Sequence, residues 1–242
     1  MRERAEKLEI ARSPVASAPP DCSLIDYPGR MAAMLFTAGC NFRCPFCHNA
    51  LALAGPVRPG IPWSALDDAL RRFRGNWVSA AVITGGEPTL HPGLPDLVRF
   101  LKDRGFSVKL DTNGSRPSVL RDLLPSLDYV AMDIKCALAD YPRLVGCPDP
   151  APVAESVRLL ITSAADYEFR TTVLPSWHAP ETWPALADLL SGARRYILQP
   201  FLPRPEVLSP DLRDAPETPR AFLLKMQRAL SPRLPVSLRA PF

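Results

Sequence analysis

The sequence predicts an α/β fold built on a parallel sheet, and three observations predict it. Short apolar runs of strand length alternate with longer stretches of helical period along most of the chain. The chemically suggestive residues gather at or just after the ends of those runs, as they do in parallel α/β folds. The chain has 242 residues, 47% of them hydrophobic, which suffices for one well-buried domain. Six strand–helix units are too few for a complete eight-stranded barrel. An incomplete barrel and an open doubly wound sheet both satisfy these constraints.

Residues 1–20 are polar and rich in Pro and Ala, and read as a flexible N-terminal extension to a domain spanning 21–242. The strands are expected at Ala32–Thr37, Ala80–Thr84, Val108–Asp111, Tyr129–Asp133, Phe169–Val173 and Tyr196–Gln199. Helices are expected at 64–74, 93–104, 117–124, 153–164, 180–190 and 218–230. Leu94, Leu97, Val98 and Leu101 show the i, i+3, i+4, i+7 spacing of a one-faced helix, and Val153, Val157 and Leu160 repeat it. The 29 prolines lie mostly between periodic segments and act as loop punctuation.

Composition excludes some classes. The formal net charge is +4, with cations scattered among acids, so nucleic-acid binding is not signalled. The first twenty residues hold no apolar run of the kind a secretory signal needs, and no segment approaches the roughly 20 apolar residues of a membrane span. A cytoplasmic location is expected. There, reduced cysteines serve metal binding or catalysis more often than disulfides.

The segment Gly39-Cys40-Asn41-Phe42-Arg43-Cys44-Pro45-Phe46-Cys47-His48-Asn49 carries C-x3-C-x2-C spacing. One short loop of this kind wraps three thiolates around a single metal centre. Three thiolates on a four-iron cube leave one iron without a protein ligand, where a substrate's own donor atoms can bind. Three other readings compete. Cys44-Pro45-Phe46-Cys47-His48 also matches the c-type haem motif, which calls for an exported protein and leaves Cys40 unused. A zinc site of Cys40, Cys44, Cys47 and His48 is chemically feasible, although adjacent Cys47 and His48 are awkward joint ligands of one tetrahedral ion. Three unligated core thiols would be poorly placed in one polar loop. Cys22, Cys136 and Cys147 are isolated and read as ordinary free thiols.

Further motifs close other strands. Thr84-Gly85-Gly86-Glu87-Pro88 follows the second strand, and its glycines permit close approach of the backbone to a ligand. Asp111-Thr112-Asn113-Gly114 ends the third with residues that also form turns. Asp133-Ile134-Lys135 ends the fourth, its period of two placing Asp133 and Lys135 on one face, where a salt bridge is the plain explanation. His178 follows the fifth strand and reads alone as a loop histidine.

With Phe46 immediately before the third cysteine, the spacing resembles the signature of the radical S-adenosylmethionine (SAM) superfamily. The resemblance implies a [4Fe–4S] cluster on Cys40, Cys44 and Cys47. SAM would bind its open iron through amino and carboxylate groups, and reductive cleavage would give methionine and a 5′-deoxyadenosyl radical. Gly85-Gly86-Glu87-Pro88 resembles the element that contacts the SAM amino group. The strings around Asp111, Asn113, Asp133 and Lys135 resemble the SAM-lining segments of glycyl-radical-enzyme activases. With them the resemblance places Phe46, Gly85, Gly86, Glu87 and His178 in the cofactor site, and no catalytic residue beyond cluster and SAM.

Ser23-Leu24-Ile25-Asp26-Tyr27-Pro28-Gly29 and Arg194-Arg195-Tyr196-Ile197-Leu198-Gln199-Pro200-Phe201 extend the resemblance, in order, from about Ser23 to Gln199. They are similar to activating proteins of anaerobic ribonucleoside-triphosphate reductase, relatives of pyruvate formate-lyase activating enzyme. What this implies is a partial (β/α)6 barrel, its parallel sheet open on one side to admit a peptide loop. The partners implied are a glycyl radical enzyme, in the first place anaerobic ribonucleotide reductase, and a low-potential electron donor such as flavodoxin or ferredoxin. Neither a membrane nor a nucleic acid is expected. Cys136 and Cys147 depart from the activase pattern without removing a motif residue. The same core acting on a small molecule, as in deazapurine-forming enzymes, or on another peptide is the second reading.

Overall fold

Each apolar run of the sequence becomes a strand because its residues bury on both faces, which only a covered parallel sheet allows. The computed structural model describes residues 12–16, 22–49, 60–75 and 77–239. Strand order follows the chain from β1 to β8 and runs from a first strand to a last, so the sheet is not closed. The pairings β2–β3, β3–β4, β5–β6, β6–β7 and β7–β8 are parallel, and β1–β2 alone among the described pairings is antiparallel. A doubly wound sheet reverses its strand order part-way. This sheet does not, which leaves the open partial barrel. The chain divides into two compact units.

The first unit draws on Met1–Cys40, Leu51–Thr112 and Asp122–Tyr129. It contains β1 (Cys22–Ser23), β2 (Ala32–Thr37), α1 (Trp63–Gly75), β3 (Ala80–Gly85), α2 (Leu94–Asp103) and β4 (Ser107–Thr112). β2 and β3 pair from Ala32↔Ala80 to Thr37↔Gly85, which sets the end of one beside the end of the other. In β3, Ala80, Ala81, Val82 and Ile83 are all buried. α2 buries Leu94, Leu97, Val98 and Leu101, the face its spacing predicts. Residues 12–16 also belong here. Val15 bridges antiparallel to Thr37, and the Ala16 N–H donates to Phe36 O at 2.7 Å. Ser13 and Val15 are buried. The flexible extension expected over 1–20 therefore does not include this stretch; the rest of 1–20 lies outside the described residues.

The second unit draws on Asn41–Ala50, Asn113–Arg121 and Val130–Phe242. In chain order, α3 (Pro117–Leu123) and β5 (Tyr129–Asp133) come next. Then come α4 (Tyr141–Val145), α5 (Ala151–Ser163), β6 (Tyr167–Val173), α6 (Trp183–Leu189), β7 (Tyr196–Pro200), α7 (Arg220–Leu230) and β8 (Val236–Leu238). β5 and β6 pair from Val130↔Tyr167 to Asp133↔Arg170, and β6 and β7 from Phe169↔Tyr196 to Val173↔Pro200. The short elements β1, α4 and β8 were not expected. β6 starts two residues earlier than the apolar run suggests, because Tyr167 is buried and pairs with Val130.

Candidate active site

In the first unit the ends of β2 and β3 meet in a backbone clasp. The Gly86 N–H donates to Thr37 O and the Glu87 N–H to Gly39 O, each at 2.9 Å. The two glycines are required by backbone crowding. Gly85 has φ +114°, and a Cβ there would stand 2.4 Å from Thr37 O. A Cβ on Gly86 would stand 2.0 Å from Gly39 O. The glycines thus seat this segment against the turn that leads into Cys40. The Glu87 carboxylate is buried and accepts from the Thr89 N–H at 3.1 Å, the Thr89 hydroxyl at 2.5 Å and the Thr112 hydroxyl at 2.7 Å. It fastens the β3 exit to the end of β4. His91, which sequence reasoning missed, is also buried, and its Nε2–H donates to Ala38 O at 2.8 Å. Burial pushes its pKa down, so it is a neutral donor. Asp111 pairs with the buried Lys109 ammonium at 2.7 Å.

In the second unit the rest of the cysteine loop is braced along its length. Cys44 and Cys47 flank a turn closed by the Cys47 N–H to Cys44 O at 3.0 Å. Cys44 is buried, Cys47 half-buried, and neither is in a disulfide. Asn113 is buried; its amide donates to Asn41 Oδ1 at 3.0 Å and its carbonyl accepts from the Ser115 N–H at 2.9 Å. The Arg43 N–H donates to Val145 O at 2.8 Å. Phe46 is buried, edge-on to Trp177 with centroids 5.2 Å apart, and the Lys135 ammonium lies 5.8 Å from its ring centre.

Asp133 and Lys135 form the expected pair, at 3.0 Å, and a third member joins them: Arg170 Nε donates to the other Asp133 oxygen at 2.9 Å. Burial alone would raise the Asp133 pKa, but Arg170 and Lys135 outweigh it and hold the carboxyl well below the usual range. Burial alone would lower Lys135, but Asp133, Cys44 and Cys47 hold it above its ordinary value. A permanent cation therefore lies within electrostatic reach of Cys44 and Cys47. Cys47 is pushed up, first by burial, with Lys135 acting against that. Cys136 is buried and pushed up to about 12, chiefly by burial. Cys147 is also buried, and its thiol donates to Asp149 O at 3.3 Å.

His178 is fully buried. The Leu174 N–H donates to its Nδ1 at 3.1 Å, and its Nε2–H donates to Lys135 O at 3.0 Å. Burial lowers its pKa, so the ring is neutral and fixes the backbone of Lys135. Arg170, Asn41, Tyr141 and Trp177 were missed by sequence reasoning. Arg170 had a signal: it shares the period-two face of β6 with Glu168 and Thr172. Tyr141, whose hydroxyl accepts from the Lys135 N–H at 3.0 Å, had none.

Among the described residues no three His, Cys, Asp or Glu side chains are grouped so that one metal ion could be held between them. A four-iron cube distributes its thiolates over separate irons and needs no such single point. Three cysteines outside any disulfide, in C-x3-C-x2-C spacing, have the donor chemistry for that group.

The family model described as the radical SAM superfamily matches residues 34–185, which spans the cysteine loop and β2 to β6. The chain belongs to the radical SAM superfamily. Membership implies a [4Fe–4S] cluster and SAM. A protein of Methanocaldococcus jannaschii, provisionally named a glycyl-radical enzyme activating enzyme, is 33% identical over 192 residues, covering 76% of this chain and 78% of its own. The 7-carboxy-7-deazaguanine synthase of Thermococcus kodakarensis is 28% identical over 199 residues, covering 72% and 76%. Among solved structures, Streptococcus suis SuiB bound to precursor peptide SuiA superposes with a TM-score of 0.66 at 15% identity. That match covers 86% of this chain but 48% of SuiB, so the chain spans about half of SuiB's length. No helix among the described residues is long and apolar enough to cross a membrane.

Proposed function

We propose that this radical SAM protein is an activase: it generates a glycyl radical on a partner enzyme, in the first place anaerobic ribonucleoside-triphosphate reductase. The observation that carries the reading is the match to the Methanocaldococcus protein along 78% of that protein's length, beyond the superfamily core. The ordered strings from Ser23-Leu24-Ile25-Asp26-Tyr27-Pro28-Gly29 to Leu198-Gln199-Pro200 support it.

In this reading Cys40, Cys44 and Cys47 hold the cluster. When bound, cluster and SAM together supply an electron and a carbon radical able to abstract a hydrogen atom. The chain supplies position and charge. Lys135 presents a fixed ammonium beside Cys44 and Cys47, suited to the SAM carboxylate, and Asp133 with Arg170 keeps it in place. His178 holds the Lys135 backbone. Phe46 and Trp177 close an apolar wall beside the ammonium. Gly85, Gly86 and Glu87 set the height of the turn before Cys40, and Asn113 sets the turn after it. Asp111 adds a carboxylate at the end of β4. The hydrogen donor is a glycine α-carbon, whose radical is delocalised onto the flanking amides. A low-potential donor such as flavodoxin or ferredoxin supplies the electron.

The test is EPR of the reduced protein mixed with SAM and the host's candidate partner without oxygen. A doublet that collapses when the partner's glycine carries α-deuterium supports the reading. The likeness to 7-carboxy-7-deazaguanine synthases favours a second reading, a small-molecule substrate. Steady 5′-deoxyadenosine formation with a deazaguanine product and no protein radical would establish it instead.

A further inference from the structure

Residues 201–219 join β7 to α7 with only a 3-10 turn at Pro210–Leu212. Connections of this length are uncommon in compact domains, and are usually either functional or linker segments. Its ends are tied together. The Phe201 N–H donates to Thr218 Oγ1 and the Thr218 N–H to Phe201 O, each at 3.0 Å, and the Thr218 hydroxyl donates to Val173 O. Residues 202–217 are therefore an Ω-loop, pinned at its base. It has its own interior: Val207 is fully buried, its carbonyl accepts from Arg213 Nε at 2.9 Å, and the Arg213 N–H donates to Pro210 O at 3.1 Å.

This loop grips the second half of the cysteine loop. The Leu208 N–H donates to Cys47 O at 3.0 Å and the Ser209 N–H to Pro45 O at 2.9 Å. His48 adds a side-chain pin: its ring stacks on Phe201, centroids 6.0 Å apart and 11° from parallel, and its Nε2–H donates to Leu202 O at 2.8 Å. All of these residues lie in the second unit.

We propose that the 202–217 loop is a positioning clasp for Pro45–Cys47, closed by the Leu208 and Ser209 N–H groups and by His48, and that it fixes where the Cys47 thiol points. The inference rests on the reading of Cys47 as a cluster ligand. It assigns His48 the role of a pin and not of a ligand, its Nε2–H being engaged by Leu202 O. Because clasp and cluster act on the same short turn, each favours the other by linkage. Loading the cysteines orders the loop, and opening the loop loosens the iron.

Ser209 offers a clean probe. Its φ of −78° is one proline adopts, so Ser209→Pro deletes the N–H donor without demanding a new backbone angle at that residue. Ser209→Ala keeps the donor and is the control. His48→Ala removes the pin from the surface and tests the clasp without risk to folding. Two readouts are taken on the full chain: iron release from anaerobically reconstituted protein to a ferrous chelator, and trypsin cleavage at Arg213–Asp214. Loss of one net hydrogen bond predicts about fivefold faster release and cleavage in Ser209→Pro, and about threefold in His48→Ala. Ser209→Ala should match the parent, and reconstitution should slow cleavage of the parent. Equal rates for Ser209→Pro and Ser209→Ala in both readouts would overturn the proposal, as would a lower iron stoichiometry in freshly reconstituted His48→Ala. Should the parent itself take up no iron and sulfide, the cluster reading fails separately. The clasp is then decided by the trypsin rates of the metal-free variants.

Discussion

Gly86→Ala tests whether the turn before Cys40 is held by backbone crowding. The added methyl would stand 2.0 Å from Gly39 O and 2.6 Å from Gly39 C, and neither is the free end of a flexible side chain. Either the β3 exit or the 37–39 turn must move. Movement breaks the Gly86 N–H to Thr37 O and Glu87 N–H to Gly39 O bonds, worth about 1 kcal/mol each. Overpacking adds about 1 kcal/mol or more. The sum is about 3 kcal/mol, which for a chain of this size lowers Tm by roughly 6–12 °C. The assay is thermal unfolding of metal-free protein, so cluster loading does not enter. Gly75→Ala is the control: a Cβ there meets nothing within 4 Å, and its stability should stay within about 0.5 kcal/mol of the parent. A Gly86→Ala protein as stable as Gly75→Ala would refute the reasoning.

Single Cys→Ser changes at 40, 44 or 47 should each abolish the four-iron stoichiometry after anaerobic reconstitution, whereas Cys22→Ser, Cys136→Ser and Cys147→Ser should keep it; iron and sulfide analysis decides, and loss in any of the latter three reassigns the ligands. Arg170→Met should cost about 3 kcal/mol at pH 7 by leaving Asp133 with one cation fewer. The sign follows from Asp133, whose carboxyl is held below its ordinary pKa: its contribution is full above the unfolded value of about 4 and is lost as pH falls through the folded one. Urea midpoints should therefore separate parent from Arg170→Met more at pH 7 than at pH 3, and equal separation would show that the ion pair is not the cause.

Where a run was long and apolar, the sequence was a close guide: Ala32–Thr37 and Tyr129–Asp133 form strands with the expected bounds. The three-residue β8 and the five-residue α4, with Pro142 in its first turn, carry too few side chains to show a period. At the candidate site, spacing singled out Cys40, Cys44 and Cys47 as the thiols to consider together. The role of Gly86 was only half legible. A Gly-Gly pair announces close approach, but not that Gly39 of the same chain is among the groups approached. His91 was missed, and the contacts of His178 were not foreseen, for a related reason. Each bonds backbone carbonyls far away in sequence, Ala38 and Lys135, and a carbonyl has no residue type to read.

β6 shows why a polar strand can be stronger evidence of function than a loop motif. A parallel strand covered on both faces is expected to be apolar throughout. β6 instead buries Glu168 and Arg170 on the face it shares with Thr172. Each charge has to be matched. Arg239, just beyond β8, donates to Glu168 at 3.1 Å and reaches Gln199 Oε1 at 3.4 Å, while Gln199 Nε2 donates to the Thr172 hydroxyl at 2.8 Å. Arg170 is matched by Asp133, and Asp133 by Lys135. Buried ion pairs contribute little to stability compared with apolar packing of the same volume, so stability alone gives no reason for this ladder. Its upper end is Lys135, a cation held charged beside Cys44 and Cys47. The strand gives up apolar packing along one face and gains a rigid positive charge at the cysteine loop, and a cluster site with an anionic ligand would use that charge.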